Sequence, residues 1–223
     1  MEFTGIRINK ELEQLIKELI RVKLGAELTL NQLSALCMSD KVNMIHTGEY
    51  LKQLSMLKRV QGQKWMQLLA CRGGQFKIEQ IEILVPVPCK EQLANEQSRQ
   101  LKIVLDLAMN VEKRVNEMVK KVLFVAKATN DSIVIDIIES KTLPKQMQVI
   151  RQIEAQLNTL HRQEVPEYLF EKLTIKPLVE NLKHKVHVKL VQQLMTPLTL
   201  QQQPALERQM YQMESIFPAH RMF

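Results

Sequence analysis

Apolar residues recur at steps of three and four through four long segments of this chain. In the first, about Lys10 to Cys37, the stripe is Leu12, Leu15, Ile16, Leu19, Ala26, Leu30 and Leu33. In the second, about Lys41 to Cys71, Leu51, Leu54, Trp65 and Leu68 fall near one line, with Ser39-Asp40 as a turn before it and Gly73-Gly74 as a stop after it. The third, about Asn95 to Ala128, is the cleanest: Leu101, Val104, Leu105, Ala108, Val111, Val115, Met118, Val122 and Ala126 trace one face. Thr129-Asn130-Asp131 then turns the chain into a fourth segment, about Ser132 to Leu160. That period belongs to helices that bury one side, so the pattern predicts an all-α, four-helix bundle.

The prolines interrupt this pattern where topology is decided. Between the second and third segments runs IEILVPVP, in which Pro86 and Pro88 exclude a continuous helix and Ile81, Ile83 and Val85 alternate as in an extended piece. A connection this long lets the third helix run parallel to the second instead of folding straight back. Pro144 must kink the fourth helix or force a local repair. Pro166 suits the first turn of a short fifth helix. Beyond Lys176, Leu178, Leu182, Val186, Leu190 and Leu194 stand at four-residue steps and predict a sixth amphipathic helix that Pro197 ends. The Gln/Met-rich tail after it has little to pack and is expected to be loosely ordered. The chain therefore reads as a bundle domain, 1–176, and a C-terminal extension, 177–223.

Composition narrows the class. A length of 223 residues suffices for one substantial core plus an extension, and only 6 Gly against abundant Leu, Gln, Lys, Glu and Met favours helix. No run approaches a membrane span, and the N-terminus lacks a secretory pattern, so a cytoplasmic protein without a membrane partner is expected. Cys37, Cys71 and Cys89 have no metal-ligand spacing and read as free thiols. The net charge of +7 raises the question of nucleic acid. Carboxylates are interspersed with the cations and aromatic residues are few, which favours a solvated basic surface and no nucleic-acid partner.

Candidate chemistry is sparse. Helical bundles that hold two metal ions use inward carboxylates and Glu-x-x-His pairs, and no such pair occurs in the second or fourth segment. Glu112 lies among the apolar residues of the third, between Val111 and Val115, either as a metal ligand or as a partly exposed edge residue. Asp136 and Glu139 share a helical face at i, i+3, either as part of a cation path or as an ordinary acidic edge. His184 and His187 are also at i, i+3, on a face that reads as solvated and basic.

Several motifs carry a resemblance. EVPEYLFEKLTIKPL, Glu164 to Leu178, is similar to the short fifth helix of animal ferritin subunits, and Arg72-Gly73-Gly74 to the motif ending their second helix. VEKRVNEMV looks like the family's LEKNVNQSL, and DIIESKTLPKQ like its DFIETHYLNEQ. The resemblance covers about residues 10–176. It implies a ferritin-like bundle, iron as the bound metal, and a closed shell of many copies, homo-oligomeric or mixed with ferroxidase-active subunits. Glu112 then matches the iron-binding glutamate of the third helix, and Gln146 the glutamine that supports the ferroxidase centre. Asp136 and Glu139 match the pair lining the three-fold channel.

The other iron positions depart from the family. Its second-helix glutamate falls on Lys58 and its histidine on Gln61; its first-helix glutamate falls on Lys23 and the nearby tyrosine on Leu30. Two ligands have become cations, and an ammonium there repels a dication and can pair with Glu112. The pattern resembles the light-type, ferroxidase-inactive subunit, so iron storage without iron oxidation is implied, with weak or indirect iron binding. The cavity-face glutamates of light-type chains reduce here to Glu49, with Lys52, Gln53, Met56 and Leu57 around it. The alternative is a degenerate bundle that stores no iron and uses its extension to dock a partner.

Overall fold

The computed structural model describes residues 8–78, 80–96, 99–163 and 166–181. The expected sixth helix beyond residue 181, the tail, and His184, His187 and His220 lie outside the described residues. Residues 1–176 form one compact unit and 177–223 are assigned to a second, of which 177–181 are helical. The bundle consists of α1 (Lys10–Cys37), α2 (Ile45–Cys71), a short α3 (Lys90–Asn95), α4 (Gln100–Ala128), α5 (Ser132–Asp136) and α6 (Leu143–Gln163). α5 and α6 are joined by a π-helical segment, Ile137–Thr142. A fifth bundle helix follows as α7 (Glu167–Phe170) and a second π-helical segment, Glu171–Ile175. No strand occurs among the described residues.

Helix starts and stops follow local chemistry. Asn9 caps α1, its side chain accepting from the Glu11 amide at 2.9 Å. α2 begins at Ile45, not at Lys41, because Asn43 adopts φ 51° and breaks the helical path. Val42 and Met44 of that turn are buried, so the turn is part of the core. The third long helix begins five residues later than its pattern suggests: Glu96 leaves helical geometry, which sets α3 apart from α4.

α1 packs on α2 and α4, and α4 packs on α6. Short turns make α1/α2 and α4/α6 antiparallel hairpins. The relation of α2 to α4 is fixed at both ends. Amides of both first turns donate to carboxylates of the fifth helix, Thr47 to Glu171 and Leu101 to Glu167. At the far ends Arg72 and Asp131 pair at 2.7 Å, both side chains nearly buried. α2 and α4 are therefore parallel, as the long crossover predicts.

That crossover lies against the middle of α1. The Leu84 amide donates to Thr29 Oγ1 at 2.9 Å, and Arg114 on α4 donates to the Leu84 carbonyl. Gly25 makes this approach possible, since a Cβ there would stand 2.4 Å from the Glu82 carbonyl oxygen. The expected alternation of Ile81, Ile83 and Val85 does not hold as a buried face. A bend at Leu84–Val85 turns Val85 inward and leaves Ile83 52% exposed.

Pro144 receives a local repair and not a break. It sits in the first turn of α6, two residues past the π-helical segment, whose wider turn removes the need for an amide at that position. Within that segment Ser140 donates to Asp136 O at 2.5 Å and Thr142 to Ile137 O at 3.1 Å. The second π-helical segment likewise ends two residues before a proline, Pro177.

Candidate functional site

At the middle of the bundle a polar cluster interrupts an otherwise apolar core. Lys23 of α1, Lys58 of α2 and Glu112 of α4 are each 0% exposed, and Gln146 of α6 is 1% exposed. They meet because each lies on the inward stripe of its helix, with Ile20 and Ala26, Leu54 and Trp65, and Val111 and Val115 around them. Burial this complete excludes the edge-residue reading of Glu112.

The geometry is that of an internal ion pair with an amide clasp. Lys58 Nζ donates to Glu112 Oε2 at 2.5 Å and to Gln146 Oε1 at 3.2 Å. Gln146 Nε2 donates back to Glu112 Oε2 at 2.6 Å and to the Glu112 carbonyl at 3.1 Å. Three helices are thus joined through one carboxylate. Lys23 stands beside this triad and donates to Gln61 Oε1 at 2.7 Å. Its ammonium is pushed down to about 7, first by burial and then by the Lys58 charge, with Glu112 acting the other way.

A di-iron centre does not fit these residues. Such a centre needs several inward carboxylates and imidazole, and the cluster offers one carboxylate already claimed by an ammonium. Lys23 and Lys58, both buried beside that carboxylate, would repel a dication. Among the described residues no group of three or more His, Cys, Asp or Glu is placed to hold a metal ion.

The second predicted pair is elsewhere. Asp136 and Glu139 are both exposed near the start of the fourth long segment, and Glu139 Oε1 pairs with Lys127 Nζ at 2.7 Å. The π-helical segment begins one residue after Asp136, so the i, i+3 relation of a regular helix does not carry over unchanged. His46 and His161 lie at different places and join neither group. On α2, Glu49, Gln53, Met56 and Leu57 are half-buried and Lys52 is exposed, so one carboxylate marks that stretch.

Sequence reasoning missed three features. The Arg72–Asp131 pair was hidden inside a motif read only as a helix stop. Tyr50 and Gln156 are buried polar residues of the core, and their side-chain polar atoms have no hydrogen-bond partner. Burial, and secondly Glu112, push the Tyr50 hydroxyl up. Glu167 and Glu171 are four apart on one helix face, and that spacing was the available signal for their shared role.

Comparison with known proteins identifies relatives of the chain. A family model described as the ferritin-like domain matches residues 13–163. The chain is 26% identical over 171 residues to a Bos taurus protein named ferritin light chain, covering 74% of this chain and 93% of that one. It is 24% identical over 179 residues to ferritin light chain 1 of Mus musculus, with the same two coverages, 74% and 93%. Ferritin-2, chloroplastic, of Arabidopsis thaliana is 25% identical over 156 residues, covering 70% of this chain but only 60% of that longer protein.

Proposed function

The chain belongs to the ferritin-like family, and from that membership we propose that it is a structural subunit of an iron-storing shell that does not itself oxidise ferrous iron. The observation that carries the second half is the Lys58–Glu112 pair at 2.5 Å, with both side chains at 0% exposure. The position where the family resemblance places iron is filled by a protein cation. Lys23, one helix away, adds a second deterrent to a dication.

Iron here is cargo, reaching the chain as substrate of a mixed assembly. An oxidising ferritin chain supplies the ferric product; this chain supplies wall. Glu112 and Gln146 are remnants of an iron centre turned to structural use. Asp136 and Glu139 retain negative charge at the end of the bundle where the resemblance places a cation channel, and Lys127 partly offsets it. A cytoplasmic location, as expected from the sequence, is part of the same proposal.

Assembly draws support from the surface. Leu169 is 44% and Leu173 72% exposed on one side of the fifth helix, and Leu28 and Ile83 are 46% and 52% exposed where the crossover meets α1. Apolar side chains grouped in this way are what a second copy would cover.

Sedimentation velocity on the full chain, alone and co-expressed with an oxidising ferritin chain, tests the reading. A shell-sized particle in either sample is expected, together with no ferrous-iron-dependent oxygen uptake by the chain alone. A small species in both samples overturns the storage reading, and oxygen uptake by the chain alone overturns the assignment as inactive.

A further inference from the structure

The central cluster holds more than an ion pair. One carboxylate oxygen, Glu112 Oε2, accepts from two different nitrogens, Lys58 Nζ at 2.5 Å and Gln146 Nε2 at 2.6 Å. Nζ also reaches Gln146 Oε1 at 3.2 Å, so the carboxamide carbon, one bond beyond that oxygen, is within a small rotation of the amine. An amine, a carboxamide and a carboxylate touching both nitrogens are the parts of an acyl transfer: nucleophile, acyl group and proton carrier.

Three features favour that reaction here. Lys58 and Glu112 are 0% and Gln146 1% exposed, so water is kept from competing as nucleophile. A second bond, from Gln146 Nε2 to the Glu112 carbonyl at 3.1 Å, holds the carboxamide in place, and the packing of α2, α4 and α6 brings the groups together in advance. The cluster also has two lysines for one carboxylate. When Lys58 gives up its charge, Lys23, buried beside it, remains as counter-ion to Glu112.

We propose that Lys58 and Gln146 join in an intramolecular isopeptide bond, with Glu112 as the proton carrier. Nζ attacks Cδ of Gln146; the Nζ–Cδ bond forms, and the Cδ–Nε2 bond breaks with its electron pair leaving on nitrogen. Nζ gives up two protons and the departing nitrogen gains two, each by way of Glu112 Oε2. Ammonium leaves, and nothing is oxidised or reduced. The product is a covalent tie between α2 and α6, at positions 88 residues apart. Lys23 and Gln61 also meet, at 2.7 Å, but among the described residues no carboxylate bonds to both, so that pair stays open. The reaction needs only the single chain and stands whether or not the chain forms a shell.

Intact mass spectrometry of the full-length protein, freshly purified and again after several days at neutral pH, reads the bond as the loss of one ammonia. Tryptic mapping locates it: cleavage after Lys58 is lost, and the peptides carrying Lys58 and Gln146 run as one branched species. Glu112→Ala, which adds no second carboxamide, should abolish the link, while D131N, at the far end of the bundle, should keep it. An unaltered chain whose mass stays at the value of its sequence overturns the proposal, and that result needs no variant to fold. So does a link between Lys23 and Gln61, or a Lys58–Gln146 link that persists in folded Glu112→Ala protein.

Discussion

Glu112→Gln preserves the shape of the buried side chain and removes its charge, which isolates the electrostatics of the central cluster. Its amide oxygen can still accept from Lys58 and Gln146 where Oε2 does, at 2.5 Å and 2.6 Å, but it carries no charge to balance the ammonium, and its NH2 replaces Oε1 where there is no hydrogen-bond partner. Lys58 and Lys23 are left as two fully buried lysines with no carboxylate between them. Breaking a buried pair by removing one partner costs about 3–5 kcal/mol, because the remaining charge has no water to replace it. For a chain of this size that is a fall in Tm on the order of 10 °C. Replacing both members, as in K58M with E112L, should bring stability back to within about 1 kcal/mol of the unaltered protein or above it, since the desolvation of both ions is then removed. Guanidinium unfolding followed by circular dichroism measures each variant, at one fixed protein concentration because assembly adds apparent stability. A cost below about 1 kcal/mol for E112Q, or a double variant as unstable as the two single changes summed, would refute the pair as the organising interaction of the core.

Other outcomes follow from the same coordinates. Lys23 binds fewer protons folded than unfolded between its lowered value of about 7 and the ordinary 10.5, so stability should rise with pH there, by about 1.4 kcal/mol per pH unit. Cys37 and Tyr50 are raised and act oppositely from about pH 9 upward, so the rise should be visible between pH 7 and 9; Lys23→Met should abolish it in a pH series of unfolding curves. Gly25→Ala should cost about 1–3 kcal/mol by pushing the crossover off α1, with faster proteolysis of residues 80–88, and Gly48→Ala, whose Cβ would stand 2.6 Å from Met38 Cγ and 3.0 Å from the Ser34 carbonyl oxygen, should cost a comparable amount. Asp131→Asn removes the carboxylate charge paired with the nearly buried Arg72 while keeping an oxygen that can cap Val134, and thermal melts should register a loss of about 3 kcal/mol. Lys23→Glu, Lys58→Glu and Gln61→His together should bring ferrous-iron-dependent oxygen uptake if the pocket keeps its shape; a correctly assembled but inert shell counts against the residue correspondence.

The helices and their order are written locally in the chain, their exact starts less so, as Asn43 shows. A period of 3.6 in apolar residues is a local property, and Pro144 and Gly73 act through backbone geometry that needs no distant partner. The crossover was legible for the same reason: two prolines forbid a helix, and its length makes a parallel return possible. The residue types behind the proposed inactivity were legible too, because the lysines at 23 and 58 repel a dication wherever they point.

What only the tertiary structure decided is which polar groups face each other. Glu112 could be an edge or a core residue on its helix alone; three other helices around it made it fully buried, and burial turned a plausible pairing with Lys58 into an obligatory one. Pro144 demanded some repair, but that the repair is a widened turn, ending four residues before a Gln146 clasped to Glu112, is seen only in the folded chain. The caps from Glu167 and Glu171 join residues 66 and 124 positions apart, a relation no local pattern encodes. Periodicity says which side of a helix is inward; only packing says what waits there, and in a low-dielectric interior that neighbour sets the charge a residue can hold.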